Sequence, residues 1–115
     1  MSDGGLAENK TFTYDEAVAL LPEVRRITEE ACQTVEQVSE ALAHQGAGED
    51  QVREQVDLVV TAWARALIAR GLEVKGLWLV DFDNGSGYYC WRHPEPDLQF
   101  YHSYEDGFRG RMRIQ

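Results

Sequence analysis

The chain has 115 residues and a formal net charge of −9, with 43% hydrophobic and 27% charged residues. This length and composition are typical of one globular domain with a hydrophobic core and argue against global disorder. The acidic balance argues against nucleic acid and anionic membranes as partners, since both carry negative charge. No apolar run approaches the roughly 20 residues of a membrane span, and no signal-peptide pattern is present. We therefore expect a cytoplasmic protein.

Residues 1–10 show no hydrophobic periodicity and are predicted to be a disordered tail, followed by a single domain over residues 11–115. A helix is predicted to begin near Tyr14, because Thr13 and Glu16 have the spacing of a capping box. In that motif each side chain accepts a hydrogen bond from the backbone N–H of the other residue.

Two helices are predicted over residues 11–71. Pro22 interrupts the first, since it lacks the N–H that a helix interior requires, so we expect a short helix to about Leu20 and then a kink or a fresh start. Small and apolar residues then follow three- and four-residue spacings in both helices. They are Leu21, Val24, Thr28, Ala31, Val35, Val38 and Leu42, then Val52, Val56, Val59, Val60, Trp63, Leu67 and Ile68.

The connection at residues 44–48 is short and contains two glycines, so the helices are expected to form an antiparallel hairpin. The apolar stripe of the second helix is wider than a two-helix contact needs. It is therefore predicted to cover the C-terminal strands or a second copy of the chain, and a homodimer is expected.

Strand-forming residues dominate residues 72–115. Strands are predicted at residues 77–82, 88–92 and 98–102, joined by turns at residues 83–87 and 93–97 and followed by a loop-like tail. The predicted fold class is α+β, with the helical hairpin packed on a small C-terminal antiparallel three-stranded sheet. Alternation divides each strand into two faces but does not decide which face is buried.

Several short motifs are spread over residues 12–111: Phe12-Thr13, Leu20-Leu21-Pro22-Glu23-Val24-Arg25, Gly71, Glu73-Val74-Lys75, Leu79-Val80-Asp81-Phe82, Cys90-Trp91-Arg92 with Glu95, and His102 with Gly107-Phe108 and Gly110-Arg111. On these motifs the chain resembles the bacterial domain of unknown function 2203 family. The resemblance implies a small prokaryotic cytoplasmic protein with no assigned activity. The chain departs from the family's pattern at His93-Pro94, in the turn that carries Glu95, and at Tyr101.

A histidine and two carboxylates near one end of the predicted sheet are candidate metal ligands. His102, Glu95 and Glu105 could together hold an iron, manganese or zinc ion. No helical His-x-x-x-His spacing accompanies them. The alternative is structural: Arg92 pairs with Asp81 or Glu95, and His102 bonds a neighbouring carboxylate and fixes the tail.

Arginine and aromatic side chains of the same region are candidates for binding a small ligand, namely Arg92, Tyr101, Arg109 and Arg111. Arg109, Arg111 and Arg113 form a small basic patch, which could hold an anion or pair with nearby acidic residues. Cys90 would be a nucleophile only if its thiolate were stabilised, and a buried thiol is the alternative.

Three classes of function therefore stay open, and no catalytic residue is identified. The favoured one is an accessory or interaction protein that acts as a homodimer. The second is a protein that binds a metal or a small ligand, either as a binding protein alone or as an enzyme. The third is a protein that uses Cys90 for thiol chemistry. A further protein or a small ligand is the expected partner.

Overall fold

The structure is a computed structural model and describes residues 10–115. Two helices, α1 (Tyr14–His44) and α2 (Glu49–Ala69), precede five strands: β1 (Glu73–Gly76), β2 (Leu79–Asp83), β3 (Gly87–Arg92), β4 (Phe100–Ser103) and β5 (Met112–Arg113). The strands form one antiparallel sheet in the order β1-β2-β3-β4-β5. The predicted α+β class is confirmed. Apart from Lys10, the predicted tail lies outside the described residues.

Helix α1 begins at the predicted capping box, where Thr13 Oγ1 accepts from the Glu16 N–H at 3.1 Å and Glu16 Oε1 accepts from the Thr13 N–H at 2.9 Å. It continues through Pro22, so a helix end near Leu20 is wrong, whereas the kink at Pro22 stays a prediction. Proline in a helix interior costs about 3 kcal/mol. Burial of the flanking Leu21 and Val24 contributes about 1.5–3 kcal/mol for each side chain, which offsets that cost.

The core lies between the helical hairpin and one face of the sheet. Val80 and Phe82 of β2 point towards the helices and pair in register with Trp91 and Tyr89 of β3. Trp63 of α2 is buried in the same core. The sequence analysis did not decide which face of the sheet is buried. The buried face is the one that carries Val80 and Trp91.

The sheet has five strands, so the prediction of three strands with a loop-like tail is wrong. The added strands are β1 and β5 at the two edges. Strand β5 pairs with β4, and the Ile114 N–H extends this contact by donating to the Gln99 carbonyl at 2.8 Å. A 3-10 turn at Phe108–Gly110 precedes β5. A two-residue strand has no alternation to detect, which explains why the pattern missed it.

The distal part of the hairpin extends away from the sheet. Within α1 the last buried residue is Ala31, although the helix continues to His44. In α2, Leu58 remains 62% exposed. Within the described part of the chain, no helix combines the length and apolar character needed to cross a bilayer.

Candidate functional site

The open face of the sheet, away from the helices, carries a buried polar cluster. Asp81 of β2, Cys90 of β3 and His102 of β4 are only 1%, 1% and 4% exposed. Asp81 pairs directly with Cys90 in the register, and His102 pairs with Tyr88, two residues from Cys90 on the same face. One potential ligand atom from each of the three side chains lies within 4.8 Å of the others.

The backbone around Gly87 lets β4 come close enough for this arrangement. A Cβ atom at Gly87 would lie 2.6 Å from the His102 carbonyl oxygen and 3.4 Å from the Ser103 Cα atom. Both are backbone atoms, so a side chain at this position would push β4 away. The absence of a side chain at Gly87 therefore contributes directly to the position of His102.

Hydrogen bonding fixes the tautomer of His102. Its Nδ1 lies 2.8 Å from the Ser103 carbonyl oxygen, which can only accept, so Nδ1 carries a proton. Nε2 lies 3.0 Å from Asp81 Oδ2. In the neutral imidazole, Nε2 then offers a lone pair towards a carboxylate oxygen. Two acceptors at this distance require a proton or a metal ion between them.

Asp81 has unused acceptor capacity. Its Oδ1 is buried and has no hydrogen-bond partner among the described residues. Burial raises the pKa of Asp81 above its ordinary value, and the nearby His102 opposes this rise. A buried acceptor without a partner is costly, typically by about 1–3 kcal/mol. The surroundings therefore favour a cation or a proton at this carboxylate.

The thiol of Cys90 is held in its neutral form. Burial raises the pKa of Cys90 to about 12, and the neighbouring Asp81 carboxylate adds to the rise. The Arg111 guanidinium lies 4.0 Å from Cys90 Sγ and acts in the opposite direction without cancelling the effect. These surroundings do not activate the thiol as a nucleophile.

A cavity of about 360 Å³ opens beside the cluster and is lined by the side chains of all three cluster residues. Its other polar walls come from Lys75, Tyr88, Tyr104, Glu105 and Asp106. Lys75 Nζ pairs with a Glu73 carboxylate oxygen at 3.0 Å, and the Tyr88 hydroxyl donates to the same oxygen at 3.1 Å. The cavity could admit a small polar molecule to the cluster.

The predicted metal ligands lie in two places. His102 belongs to the buried cluster, and Glu105 lines the adjoining cavity. Glu95 is engaged elsewhere, since its carboxylate accepts from the Arg92 N–H at 2.9 Å and pairs with Arg111 at 2.8 Å. The structure thus brings His102 together with Asp81 and Cys90, which the sequence analysis had not combined.

The register of the β2–β3 hairpin was the signal that could have found Asp81 and Cys90 as neighbours. A turn at residues 83–87 places Asp81 opposite Cys90 on one face of the sheet. The sequence analysis treated Asp81 as an ion-pair partner of Arg92 and Cys90 as a buried thiol or a conditional nucleophile, and it did not compare their positions across the turn.

Arg111 is the most tightly held of the four predicted ligand-binding residues. Its guanidinium lies 4.0 Å from the Phe100 ring centroid and 4.1 Å from that of Phe108. It also pairs with Glu95 and is only 13% exposed. Arg111 therefore anchors the C-terminal segment beside Cys90, with its charge balanced by a carboxylate.

The other three ligand-binding candidates do not form one site. Arg92 is exposed, with its guanidinium 5.5 Å from the Phe108 ring. Arg109 is exposed in the 3-10 turn, and Tyr101 points from the opposite side of β4 to His102.

A helical hairpin covers one face of an antiparallel sheet, and a buried Asp/Cys/His cluster occupies the other. These features define a small α+β protein with a candidate metal centre. The chain belongs to the family of uncharacterized conserved proteins DUF2203, whose family model matches residues 10–114. The resemblance seen in the sequence motifs is thereby confirmed. Searches of curated proteins and of solved structures found no match.

Proposed function

We propose that this protein binds one divalent transition-metal ion through Asp81, Cys90 and His102. The observation that carries the proposal is the 3.0 Å contact between His102 Nε2 and Asp81 Oδ2, with the His102 proton directed to Ser103 on the other ring nitrogen. Metal-binding histidines commonly donate their second N–H to a backbone carbonyl, which directs the free lone pair at the ion.

The donor set favours zinc or ferrous iron. Imidazole and thiolate are ligands of borderline and soft metals, whereas manganese prefers oxygen ligands. Three protein ligands leave the fourth position of a tetrahedral ion free, and the cavity of about 360 Å³ adjoins the cluster. An exchangeable ligand in that cavity would then contact the metal, with Glu105 nearby. The predicted metal ligand Glu95 has no part in this proposal.

Metal binding would adjust the spacing of the three side chains, by slightly widening the 3.0 Å contact between His102 Nε2 and Asp81 Oδ2 and by drawing more distant ligand atoms closer. Zinc–ligand bonds of about 2.0–2.3 Å place tetrahedral ligand atoms roughly 3.3–3.8 Å apart, and the cluster atoms now lie within 4.8 Å of one another. Binding also requires that Cys90 lose its proton, so the affinity should rise with pH.

Elemental analysis and native mass spectrometry of the full chain test the proposal, using protein purified without an affinity tag or chelator. We expect about one zinc or iron ion per chain, and loss of that ion in Cys90→Ser and Asp81→Asn. Cys32→Ser and His44→Ala are matched controls outside the cluster and should retain the metal. Circular dichroism of each variant verifies that it is folded.

Cobalt substitution provides a second measurement. Co²⁺ bound to a thiolate has a charge-transfer absorption in the near ultraviolet, which should disappear in Cys90→Ser and persist in Cys32→Ser. A folded wild-type chain that takes up no zinc, iron or cobalt would refute the proposal. His102 and Asp81 would then form a protonated structural pair.

We also propose that the chain acts as a homodimer through its helical hairpin. Two features support this. Leu58 is exposed on one side of α2. On another side, at the hairpin tip, an apolar groove of about 460 Å³ includes Ala43, Val52 and Val56. Such surfaces mark interaction sites more often than isolated exposed residues do.

We place the protein in the cytoplasm, because both cysteines are free thiols and Cys90 must stay reduced to bind metal.

A further inference from the structure

The cavity beside the Asp81/Cys90/His102 cluster determines which molecules can reach the proposed metal ion. Its volume is about 360 Å³. Asp81 lines it and is only 1% exposed, and the buried Oδ1 atom of Asp81 has no hydrogen-bond partner among the described residues. The cavity therefore leads to a buried polar group without a partner, which distinguishes it from a surface group of acidic side chains. Its other polar walls are Lys75, Tyr88, Tyr104, Glu105 and Asp106.

The two tyrosine hydroxyls of this cavity can only accept hydrogen bonds from a ligand. Tyr88 donates its single hydroxyl proton to Glu73 Oε1 at 3.1 Å, and Tyr104 donates its own to Asp83 Oδ1 at 2.7 Å. A phenol whose proton is directed to a carboxylate has only oxygen lone pairs left for another molecule. These walls therefore favour a ligand that carries N–H or O–H donors.

Negative charge predominates along the cavity. Glu105 and Asp106 are exposed carboxylates after β4, and neither forms an ion pair with another described residue. Of the described lining residues, only Lys75 is a lysine or arginine, and its ammonium pairs with Glu73 at 3.0 Å. The carboxylate and the thiolate of the cluster would balance the two charges of a divalent ion. Glu105 and Asp106 then leave an uncompensated negative charge.

Two nearby arginines do not reverse this balance. The guanidinium groups of Arg92 and Arg111 lie over the Phe108 ring, which lines the cavity, but neither arginine lines it. Arg111 is in addition paired with Glu95 at 2.8 Å. The charge that a ligand meets inside the cavity is therefore set mainly by the carboxylates.

On the basis of the proposed metal site, we infer that the exchangeable ligand in this cavity is a small organic amine. A neutral nitrogen or oxygen atom of this molecule would bind the metal at the free position, and its protonated amino group would donate to the carboxylates of Glu105 and Asp106. Such charge-assisted hydrogen bonds are stronger than those between neutral groups. An anion of the same size would be repelled by the same carboxylates. The cavity thus selects its ligand by charge.

Three pyridines titrated into the Co²⁺-loaded full chain test this inference. Each offers the same ring nitrogen to the metal and carries its tail on the opposite ring carbon, too far away to bind the same ion. At about pH 7.5 the tail is an ammonium in 4-(2-aminoethyl)pyridine, uncharged in 4-ethylpyridine and a carboxylate in 4-pyridylacetate. The visible Co²⁺ bands report binding, and the near-ultraviolet thiolate band verifies that the ion stays in place. We expect the ammonium compound to bind about tenfold more tightly than the carboxylate, with 4-ethylpyridine between them.

Substitutions at Glu105 test its carboxylate directly. Glu105 is exposed, so Glu105→Gln should preserve the fold. It should reduce the affinity ratio between the ammonium and carboxylate pyridines by about threefold, and Glu105→Lys should reduce the ratio further. The affinity for 4-ethylpyridine should not change in Glu105→Gln. Glu54→Gln is the matched control, because it removes an exposed carboxylate on α2 and should leave the ratio unchanged.

The outcomes distinguish the amine ligand from the metal site itself. A folded chain that binds no cobalt refutes the metal site and the amine ligand together. A cobalt-loaded chain that binds none of the pyridines, or binds the carboxylate compound as tightly as the ammonium compound, overturns the amine ligand alone. Equal affinity ratios in Glu105→Gln and Glu54→Gln would overturn it as well.

Discussion

At the scale of single residues, the environment of Cys90 argues against nucleophilic chemistry and bears on the proposed metal binding. Burial and Asp81 raise the pKa of Cys90 to about 12. Compared with a thiol of ordinary pKa near 9.0, this leaves about a thousandfold less thiolate at pH 8. A metal ion would replace the proton directly, whereas a nucleophile would need the thiolate in the metal-free state.

We therefore predict slow alkylation of Cys90 by iodoacetamide in the folded, metal-free protein. In Cys32→Ser, which retains only Cys90, labelling at pH 8 should be at least a hundredfold slower than that of a free thiol. The same variant unfolded in urea should react at the ordinary rate, as followed by mass spectrometry. Rapid labelling of the folded variant would favour thiol chemistry instead.

The same shift makes stability depend on pH. Because the folded-state pKa lies above the unfolded one, the stabilising contribution of neutral Cys90 is complete below about pH 9 and declines as pH rises towards 12.

Residue identity was enough to predict one member of the site from the sequence, but not its partners. His102 was recognised as a ligand candidate, but its partners depend on cross-strand register. Glu95 was chosen because the predicted strands place it near the same end of the sheet as His102, yet it pairs with Arg111, which lies just before β5. Since β5 was not predicted, nothing in the sequence analysis brought Arg111 beside Glu95.

At the scale of elements, the approach of β4 to β3 controls the cluster. A Cβ atom at Gly87 would meet the His102 carbonyl oxygen at 2.6 Å. Gly87→Ala should therefore reduce the free energy of unfolding by about 1–3 kcal/mol, because backbone has to move. It should also weaken metal binding. Urea unfolding and metal titration measure the two effects.

Gly76→Ala is the control for this substitution. A Cβ atom there would lie 3.7 Å from its nearest neighbour, a Leu79 side-chain atom, which is an ordinary contact. Alanine at such a position changes stability by no more than about 1 kcal/mol. If Gly87→Ala proved as stable as Gly76→Ala and bound metal normally, the close approach of β4 would not determine the site.

The elements that sequence predicted well are those with long periodic patterns or local caps. Both helices and the hairpin turn at residues 83–87 meet those conditions. Local rules failed at Pro22, where burial of the neighbouring α1 face outweighs the proline penalty. They also failed at β5, whose existence depends on pairing with β4.

At the scale of the whole molecule, the hairpin is longer than the sheet requires. Helix α1 has 31 residues and so spans about 46 Å, yet its buried positions end at Ala31. The remaining turns contact mainly α2 and leave apolar surface in water. A second hairpin packed against the exposed side of α2 would bury Leu58.

We predict that Leu58→Glu disrupts the proposed dimer and leaves a monomer. A buried charge at a dimer interface is strongly unfavourable, so the mass from light scattering should fall by half at equal protein concentration. Leu77→Glu is the matched control, since Leu77 is 59% exposed and Leu58 62%, and Leu77 lies outside the hairpin. Metal content should be the same in both variants, because the cluster lies on the far face of the sheet. A monomeric wild type, or equal masses for the two variants, would contradict the role of the hairpin while leaving the metal proposal intact.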